Sequence, residues 1–340
     1  MVLFFLAAFA FPIQNVCWSA PGIVALCYHQ VVTNAKGLFE LSDAAFREQL
    51  GILKARGYES INSKQLMDFL AGRFQPLKKP ILLTFDDGYR SVYTTAFPIM
   101  KEFGFVGIAC VYPQFIGSGA GMSWAQLKEM AAAGWTIESH SLTHANLWKT
   151  PSVSGARQEF FKREISRPKR IIEEKLGIPV LFMVWPYGIY TQETEEIARR
   201  AGYKGALTVD GGASYAGLDP FRVKRQVVYR TDNREKFLIR LEMGPLDVTE
   251  QNPRPGQVVK SSFDVACVLP GLKDYSPANY VLNPKITGGS LDFKFDPESR
   301  KLTAKVKGSL KNGQHFIDIY LRDKRTGITC QNGWLFTADK

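Results

Sequence analysis

The sequence predicts an α/β fold with parallel strands, either an α/β barrel or a doubly wound sheet, followed by a small antiparallel β domain. Short apolar runs alternate with helix-like patterns from about residue 22 to residue 246. Repeated strand–helix units of this length favour parallel strands joined by helical crossovers. Beyond residue 257, apolar and polar residues alternate in short runs between turn signals, which is typical of antiparallel strands.

The elements of the α/β region follow one another in a regular order. Residues 23–28 are predicted as a strand, and residues 43–57 as a helix with Ser42 as its N-cap. Residues 81–85 form a buried strand that ends at Asp86 and Asp87. Further along, the pattern predicts helices over 93–104, 124–134, 154–176 (interrupted at Pro168) and 193–202, and strands over 107–112, 135–138, 180–184 and 205–209.

The character of the sequence changes near residues 247–256, where prolines and a glycine indicate a linker. We therefore predict an α/β domain over 21–246 and a β-rich accessory domain over 257–340. The predicted strands of the accessory domain are 258–269, 290–295, 301–307, 316–322 and 328–336.

Composition and charge narrow the classes of protein. The chain has 340 residues, of which 45% are hydrophobic, so a disordered or collagen-like chain is excluded. The formal net charge is +11, which favours anionic partners in general. The basic residues are dispersed and accompany no nucleic-acid-binding motif, so we expect no nucleic-acid partner.

The N-terminus is typical of an exported protein. Residues 1–13 are apolar and uncharged, and the small residues Ser19 and Ala20 offer a cleavage site. We predict a signal peptide or N-terminal anchor over 1–20, with no other membrane span, and a periplasmic, extracellular or cell-envelope location. A buried first strand is the alternative. None of the five cysteines has CxxC spacing, and a Cys267–Cys330 disulfide is left open.

Two adjacent carboxylates end the buried strand in the segment TFDDG. Asp86 and Asp87 repel each other unless a cation or a shared proton relieves them, and Gly88 permits the chain to turn so that both reach one site. A solvated Asp-Gly turn is the simpler alternative.

Two histidines stand four residues apart in the segment HSLTH. On a helical turn, this spacing would place His140 and His144 on one face, where they suit a divalent ion. Two histidines and one carboxylate leave coordination positions open for water, as in a catalytic metal site. Two helix-surface histidines are the alternative.

A rigid aromatic turn follows the predicted strand over 180–184. Trp185, Pro186 and Tyr187 precede Gly188, and such a turn can grip a sugar ring or direct a backbone N–H at an oxyanion. An aromatic pair in the core is the alternative.

Together, TFDDG, HSLTH and the PYG turn, in this order and each at a strand end, resemble the polysaccharide deacetylases with a NodB-homology domain (carbohydrate esterase family 4). The resemblance covers roughly residues 22–230. It implies a distorted (β/α) barrel that removes acetyl groups from N-acetylglucosamine units with a divalent metal ion. Zinc is the expected metal, with nickel, cobalt or iron as alternatives.

The resemblance also implies roles for individual residues. Asp86 would be the general base, and the backbone N–H of Tyr187 would help to form the oxyanion hole. The metal would be held by Asp87, His140 and His144, while Trp185, Pro186 and Tyr187 would shape the sugar pocket.

The sequence departs from the family pattern in two places. Many members carry an arginine three residues before the tyrosine of the PYG turn, where this chain has Val184, and a late histidine as general acid, which this chain lacks in that region. His29 follows the first strand in a YH pair that resembles the subgroup acting on poly-β-1,6-N-acetylglucosamine, and it would replace the acid. A histidine that only forms hydrogen bonds in the barrel core is the alternative. The candidates that would orient the base or the acid are Asp219, Arg222 and Arg225.

The expected activity is therefore N-deacetylation of an exopolysaccharide, most simply poly-β-1,6-N-acetylglucosamine, in association with the machinery that synthesises or exports it. Peptidoglycan, chitin oligomers and lipid-linked sugars remain alternative substrates. A non-catalytic glycan-binding protein on the same fold is the alternative from another class.

Overall fold

The computed structural model describes residues 22–74, 76 and 78–339, so the predicted signal peptide or anchor lies outside the described residues. Eight of the first ten strands in the described part form a parallel sheet in the order β10-β1-β5-β6-β7-β8-β9, with β4 beside β5. The strands are β1 (Val24–Tyr28), β2 (Gln30–Val32), β3 (Glu40–Ser42), β4 (Tyr58–Ser60), β5 (Lys79–Phe85), β6 (Ile108–Val111), β7 (Thr136–Ser139), β8 (Phe182–Val184), β9 (Gly205–Leu207) and β10 (Gln226–Val227).

The order of the strands decides between the two predicted architectures. It runs in one direction around the sheet, and Leu207 of β9 forms a parallel bridge with Val223, just before β10. The sheet therefore curls back on itself, and the prediction of a distorted (β/α) barrel is confirmed. The doubly wound alternative is wrong, because such a sheet reverses its strand order in the middle.

Helices connect the parallel strands, and several begin at caps that the sequence shows. Ser42 accepts a hydrogen bond from the Ala45 N–H at the start of the first helix, as predicted, and Ser123 forms a capping box with Gln126. The helices are α1 (Asp43–Ala55), α2 (Ser63–Leu70), α3 (Phe97–Phe103), α4 (Trp124–Ala132), α5 (Ser154–Phe161), α6 (Arg167–Leu176), α7 (Gln192–Arg200) and α8 (Arg234–Leu241).

Two helices carry a wide π turn just before a proline. Residues Val92–Ala96 precede α3 with its Pro98, and residues Lys162–Ser166 join α5 to α6 with its Pro168. Proline lacks the N–H that would bond one turn back, and its ring crowds that turn, so a wider turn there relieves the clash. The predicted interruption of the helix over 154–176 therefore falls one turn before the proline.

The remaining strands form two packed sheets, of order β11-β19-β18-β15 (with β13 beside β19) and β12-β14-β17-β16. A second apolar core that includes Val265, Leu302 and Ile319 lies among them, so the predicted antiparallel β region is confirmed. The strands are β11 (Gly244–Pro245), β12 (Thr249–Asn252), β13 (Val258–Val259), β14 (Asp264–Val268), β15 (Tyr280–Ile286), β16 (Ser290–Asp296), β17 (Lys301–Lys307), β18 (Gly313–Asp323) and β19 (Thr329–Ala338).

The limits of the two domains remain predictions. The segment predicted as a linker is not free of regular secondary structure. The segment predicted as a linker, 247–256, contains β12, which pairs with β14 of the second β sheet. Cys267 is a free thiol, so no Cys267–Cys330 disulfide forms. Among the described residues, no helix is both long enough and apolar enough to cross a lipid bilayer.

The barrel and the β region share a buried contact. Lys224 is only 3% exposed, and its Nζ donates to Asn332 Oδ1 at 3.0 Å and to the Gly333 carbonyl. Leu335 of β19 belongs to the apolar core of the barrel. The β region is therefore part of what holds the barrel wall in place.

We expect Lys224→Ala to lower the free energy of unfolding by about 2–4 kcal/mol, because hydrogen bonds to a buried charge are lost and their acceptors stay buried. Chemical denaturation measures the change. Lys305→Ala, which removes an exposed lysine of β17, is the matched control and should change the stability by less than about 0.5 kcal/mol. Equal stability of the two variants would show that the contact does not hold the regions together.

Candidate metal and catalytic site

Four segments meet at the carboxyl ends of the parallel strands. His29 follows β1, Asp86 and Asp87 follow β5, and His140 follows β7, while Tyr187 comes soon after β8. The carboxyl ends of barrel strands lie at one face, where active sites of such barrels are built. The fold thus brings together residues far apart in the sequence.

Asp87, His140 and His144 converge on one point. Their ligand atoms all lie within 4.8 Å of one another, with Asp87 Oδ1 at 3.6 Å from His140 Nε2 and 3.3 Å from His144 Nε2. The Val184 carbonyl lies 2.8 Å from His140 Nδ1 and so orients that ring with Nε2 toward the site. Asp87 Oδ1 is buried and has no hydrogen-bond partner among the described residues. A carboxylate oxygen left without a donor beside two imidazole nitrogens fits a divalent metal ion.

The two histidines do not meet through a helix. Ser141 and His144 have φ angles of 65° and 59°, and the segment is a loop in which Ser141 Oγ accepts a hydrogen bond from the His144 N–H at 2.9 Å. The prediction of a helical turn is therefore wrong, although the pair of imidazoles comes together as expected. The left-handed residues fold the loop back, which a helical turn cannot do.

Left-handed backbone is concentrated at this site. Of the six non-glycine residues with positive φ in the described ranges, four lie here: Asp87, Ser141, His144 and Tyr187. Such conformations cost free energy for any residue with a Cβ, and they persist where the surroundings enforce them. The site is therefore held in a strained geometry by the barrel around it.

Asp86 is locked by a buried arginine. Arg225 Nη1 and Nη2 donate to Asp86 Oδ1 and Oδ2 at 2.7 and 3.0 Å, and Arg225 Nε donates to the Thr208 carbonyl at 2.8 Å. Burial alone would raise the pKa of Asp86, but the charge of Arg225, its hydrogen bonds to the carboxylate and the neighbouring His140 and His29 together outweigh burial and hold that pKa well below its usual range. The structure thus places one of the three predicted orienting residues, Arg225, directly on Asp86.

Asp87 lies in a different electrostatic environment from its neighbour. Burial, followed by the charge of Asp86, raises the pKa of Asp87 to about 7. Burial likewise lowers the pKa of His140 to about 3, so its ring is neutral at physiological pH. Neutral imidazole is the form that binds a metal ion.

His29 also lies close to Asp86. A ring nitrogen of His29, Cys27 Sγ and a carboxylate oxygen of Asp86 all lie within 4.8 Å of one another. His29 Nδ1 is buried without a hydrogen-bond partner in the described part of the chain, and burial lowers its pKa. This is the position that a proton donor beside the base would need.

The aromatic turn differs from the prediction in one respect. Tyr187 is 60% exposed, and its ring centroid lies 4.5 Å from that of His144. Trp185 and Pro186 are buried, so neither offers a surface to a sugar, and only Tyr187 of the three can touch one. Gly188 has a φ of 70°, and a Cβ there would lie 2.1 Å from Val209, so the turn requires glycine.

The other two predicted orienting residues are not at the site. Asp219 pairs with Arg199 at 2.9 Å, and Arg222 forms an ion pair with Glu195. They were candidates because they lie close to Arg225 in the sequence. In the structure, each forms an ion pair with a residue of α7 instead. The structure does not bring them to Asp86 or His29.

Sequence reasoning missed Glu164. It lies in the π turn before α6, is fully buried, and accepts hydrogen bonds from the Thr143 N–H at 3.1 Å and from Thr143 Oγ1 at 3.0 Å. It therefore clamps the loop between His140 and His144. One signal for this role was present in the sequence: Glu164 falls on the apolar side of a helix whose other side carries most of its charged residues.

Comparison with known proteins identifies the family. The family model for polysaccharide deacetylase matches residues 75–206. The solved structure of IcaB from Ammonifex degensii is 31% identical, with a TM-score of 0.56, and the alignment covers 64% of this chain and 94% of that one. The chain belongs to the polysaccharide deacetylase family. This membership agrees with the resemblance seen in the sequence motifs.

Two curated relatives match this chain over a smaller share of their own length. YxkH of Bacillus subtilis (strain 168) is 27% identical over 189 residues, which is 56% of this chain and 65% of that protein. Poly-beta-1,6-N-acetyl-D-glucosamine N-deacetylase of Escherichia coli (strain K12) is 22% identical over 287 residues, 73% of this chain and 42% of that protein. The chain thus spans less than two thirds of the length of either relative.

Proposed function

We propose that this protein is an exported, metal-dependent N-deacetylase of poly-β-1,6-N-acetylglucosamine. The observation that carries the proposal is the convergence of an arginine-held carboxylate, a carboxylate with two imidazoles, and a further histidine at one face of the barrel. The name of the Escherichia coli relative supports the substrate. The apolar N-terminus of the sequence supports export, and the machinery that synthesises or exports the glycan is the expected partner.

Asp87, His140 and His144 would hold the metal ion, with zinc as the expected metal. A bound divalent ion lowers the pKa of a water molecule to about 7 and polarises a carbonyl oxygen. The remaining chemistry belongs to the side chains and the backbone of this protein.

Asp86 would take the proton from the attacking water. Arg225 keeps this carboxylate ionised and fixes both of its oxygens, so the base has one orientation. The backbone N–H of Tyr187 would donate a hydrogen bond to the oxygen of the tetrahedral intermediate. His29 would protonate the departing nitrogen as the carbon–nitrogen bond breaks, which gives acetate and a free glucosamine amine.

Acetate release from defined oligomers tests the proposal. We expect the purified protein to deacetylate β-1,6-linked oligomers of N-acetylglucosamine and to act more slowly on β-1,4-linked oligomers of equal length. A preference for β-1,4 oligomers would reassign the substrate to chitin- or peptidoglycan-like glycans. Binding of either oligomer without acetate release, with metal supplied, would contradict the hydrolytic role and favour a glycan-binding protein.

Glu164 provides a test of the metal site that does not depend on turnover. We expect Glu164→Ala to weaken metal affinity by about tenfold, because residues that support a ligand-bearing loop typically contribute this much. Competition with a chromogenic chelator measures the affinity. Glu159→Ala, an exposed carboxylate of α5, is the matched control. Unchanged affinity in Glu164→Ala would show that the clamp on Thr143 does not position the ligands.

A further inference from the structure

An exposed aromatic residue next to His29 has no part in the proposed chemistry. Phe39 is 44% exposed, and its ring centroid lies 4.6 Å from that of His29 and 5.7 Å from that of Tyr229. It belongs to the segment between β2 and β3. This large apolar ring is therefore open to solvent directly beside the proposed proton donor.

The segment holds this ring in a fixed place. The Phe39 carbonyl accepts a hydrogen bond from the Gln30 N–H at 3.3 Å, and the Leu38 carbonyl accepts one from the Arg230 N–H at 2.9 Å. The Glu40 carboxylate accepts from the N–H groups of Lys36 and Gly37 and closes the turn. A surface that is already ordered loses little entropy when a ligand binds to it.

A series of contacts between neighbouring side chains joins Tyr187 to Phe39 through the site. Tyr187 contacts His144, and at the other end Phe39 contacts His29. Asp86 takes part in both halves of this series: its Oδ2 is 3.9 Å from His140 Nε2, and a ring nitrogen of His29 lies within 4.8 Å of one of its carboxylate oxygens. An exposed aromatic ring therefore borders the site at two places: Tyr187 beside the metal ligand His144, and Phe39 beside the proposed proton donor His29.

The reaction of the acetamide group indicates where its atoms would lie among these residues. The carbonyl oxygen would lie at the end with Asp87 and His144, and the nitrogen must lie within reach of His29 to be protonated. In N-acetylglucosamine the nitrogen is bonded directly to the sugar ring. The sugar ring must therefore lie next to His29, and the exposed ring of Phe39 is the aromatic surface at that place, with its centroid 4.6 Å from that of His29.

We propose that Phe39 is a stacking platform for a sugar ring of the glycan and that it gives the enzyme its preference for glycans over other acetylated compounds. The inference rests on the proposed function. Aromatic side chains offer an apolar face to the C–H groups of a sugar ring while its hydroxyl groups stay in water. Tyr229 also contacts Phe39, with ring centroids 5.7 Å apart, and helps to hold the ring in place.

The test compares two acetylated compounds across a series of variants at position 39. With a β-1,6-linked N-acetylglucosamine pentamer, we expect Phe39→Ala and Phe39→Leu to raise KM by about tenfold with little change in kcat, as loss of a stacking contact predicts. Phe39→Trp should restore the KM of the wild type. With p-nitrophenyl acetate, which carries the acetyl group but no sugar, all three variants should match the wild type.

Leu38→Ala is the matched control, since Leu38 is the neighbouring exposed apolar residue, and it should leave both substrates unaffected. A pentamer KM in Phe39→Leu equal to that of the wild type would overturn the inference, because leucine keeps the apolar character but lacks the flat face. Loss of activity toward p-nitrophenyl acetate in the variants would also overturn it, by showing a structural role. If the wild type releases no acetate from the pentamer, the proposed function itself fails.

A lipid surface is the competing occupant of this apolar pair. Vesicles of phosphatidylcholine and phosphatidylglycerol distinguish it, because lipid binding depends on apolar area and not on a flat ring. The result that would contradict sugar stacking is loss of vesicle binding in both Leu38→Ala and Phe39→Ala, with vesicle binding kept in Phe39→Leu and KM unchanged in all three variants. It would assign Leu38 and Phe39 to contact with a membrane.

Discussion

Replacing Asp86 with asparagine is expected to slow acetate release by about a thousandfold, which is the usual contribution of a general base. The amide has nearly the same shape as the carboxylate but cannot accept the proton of the attacking water. Glycan affinity should remain, because Asp86 is only 3% exposed and offers little surface to a sugar. Acetate release and binding of a β-1,6-linked oligomer, measured on the same preparation, check both statements.

The partner of Asp86 makes a control on stability necessary. Arg225 is 1% exposed, and Asp86→Asn leaves its charge buried without a counter-charge, at a cost of about 3–5 kcal/mol. The double variant Asp86→Asn/Arg225→Gln removes both charges and should be more stable than the single variant but equally inactive. A single variant that is folded and retains more than a tenth of the wild-type rate would exclude Asp86 as the base.

Removal of the metal ion is expected to abolish acetate release, and reloading with zinc should restore it. Reloading should also stabilise the fold, because a ligand at about 100 times its Kd adds about 2.7 kcal/mol to the free energy of unfolding. Thermal denaturation with and without zinc measures this gain independently of turnover.

A variant of a proposed ligand, compared with a variant of a histidine outside the site, shows where the ion binds. His140→Ala should lose both activity and the thermal response to zinc. His315→Gln is the control, since His315 lies in the β region, where its ring nitrogens are bonded to the carbonyls of Thr287 and Lys311. A thermal response that survives in His140→Ala would place the ion elsewhere.

Local sequence was enough to predict the strand ends and the residues that they carry. The apolar run before Asp86, the pair His140 and His144, and the turn at Gly188 are all contiguous signals. Because parallel strands end at one face of a barrel, such signals also predict that their side chains meet. The fold class and most of the candidate metal site could therefore be predicted.

Contacts between distant segments could not be predicted in the same way. Arg225 was one of three candidate partners for Asp86, and only the folded chain shows that Arg222 instead pairs with Glu195 of α7. Trp185 is buried in the core, where it stacks against Tyr190 with ring centroids 6.1 Å apart, and its local sequence did not distinguish this place from a sugar-facing one. Glu164, which contacts Thr143, lies in a π turn, and the spacing of an ordinary helix does not show which side chains such a turn directs inward.

The left-handed residues at the active face have a consequence for anyone who wishes to make this protein more tolerant of heat. Replacing Tyr187 with glycine would relieve a backbone penalty of about 1 kcal/mol, so a search guided by thermal stability alone would favour this change. It would also remove the exposed ring that borders His144 and leave the turn free to take other shapes. Substitutions at this face that raise thermal stability are therefore expected to lower the turnover rate. Stabilising substitutions are better sought in the β region.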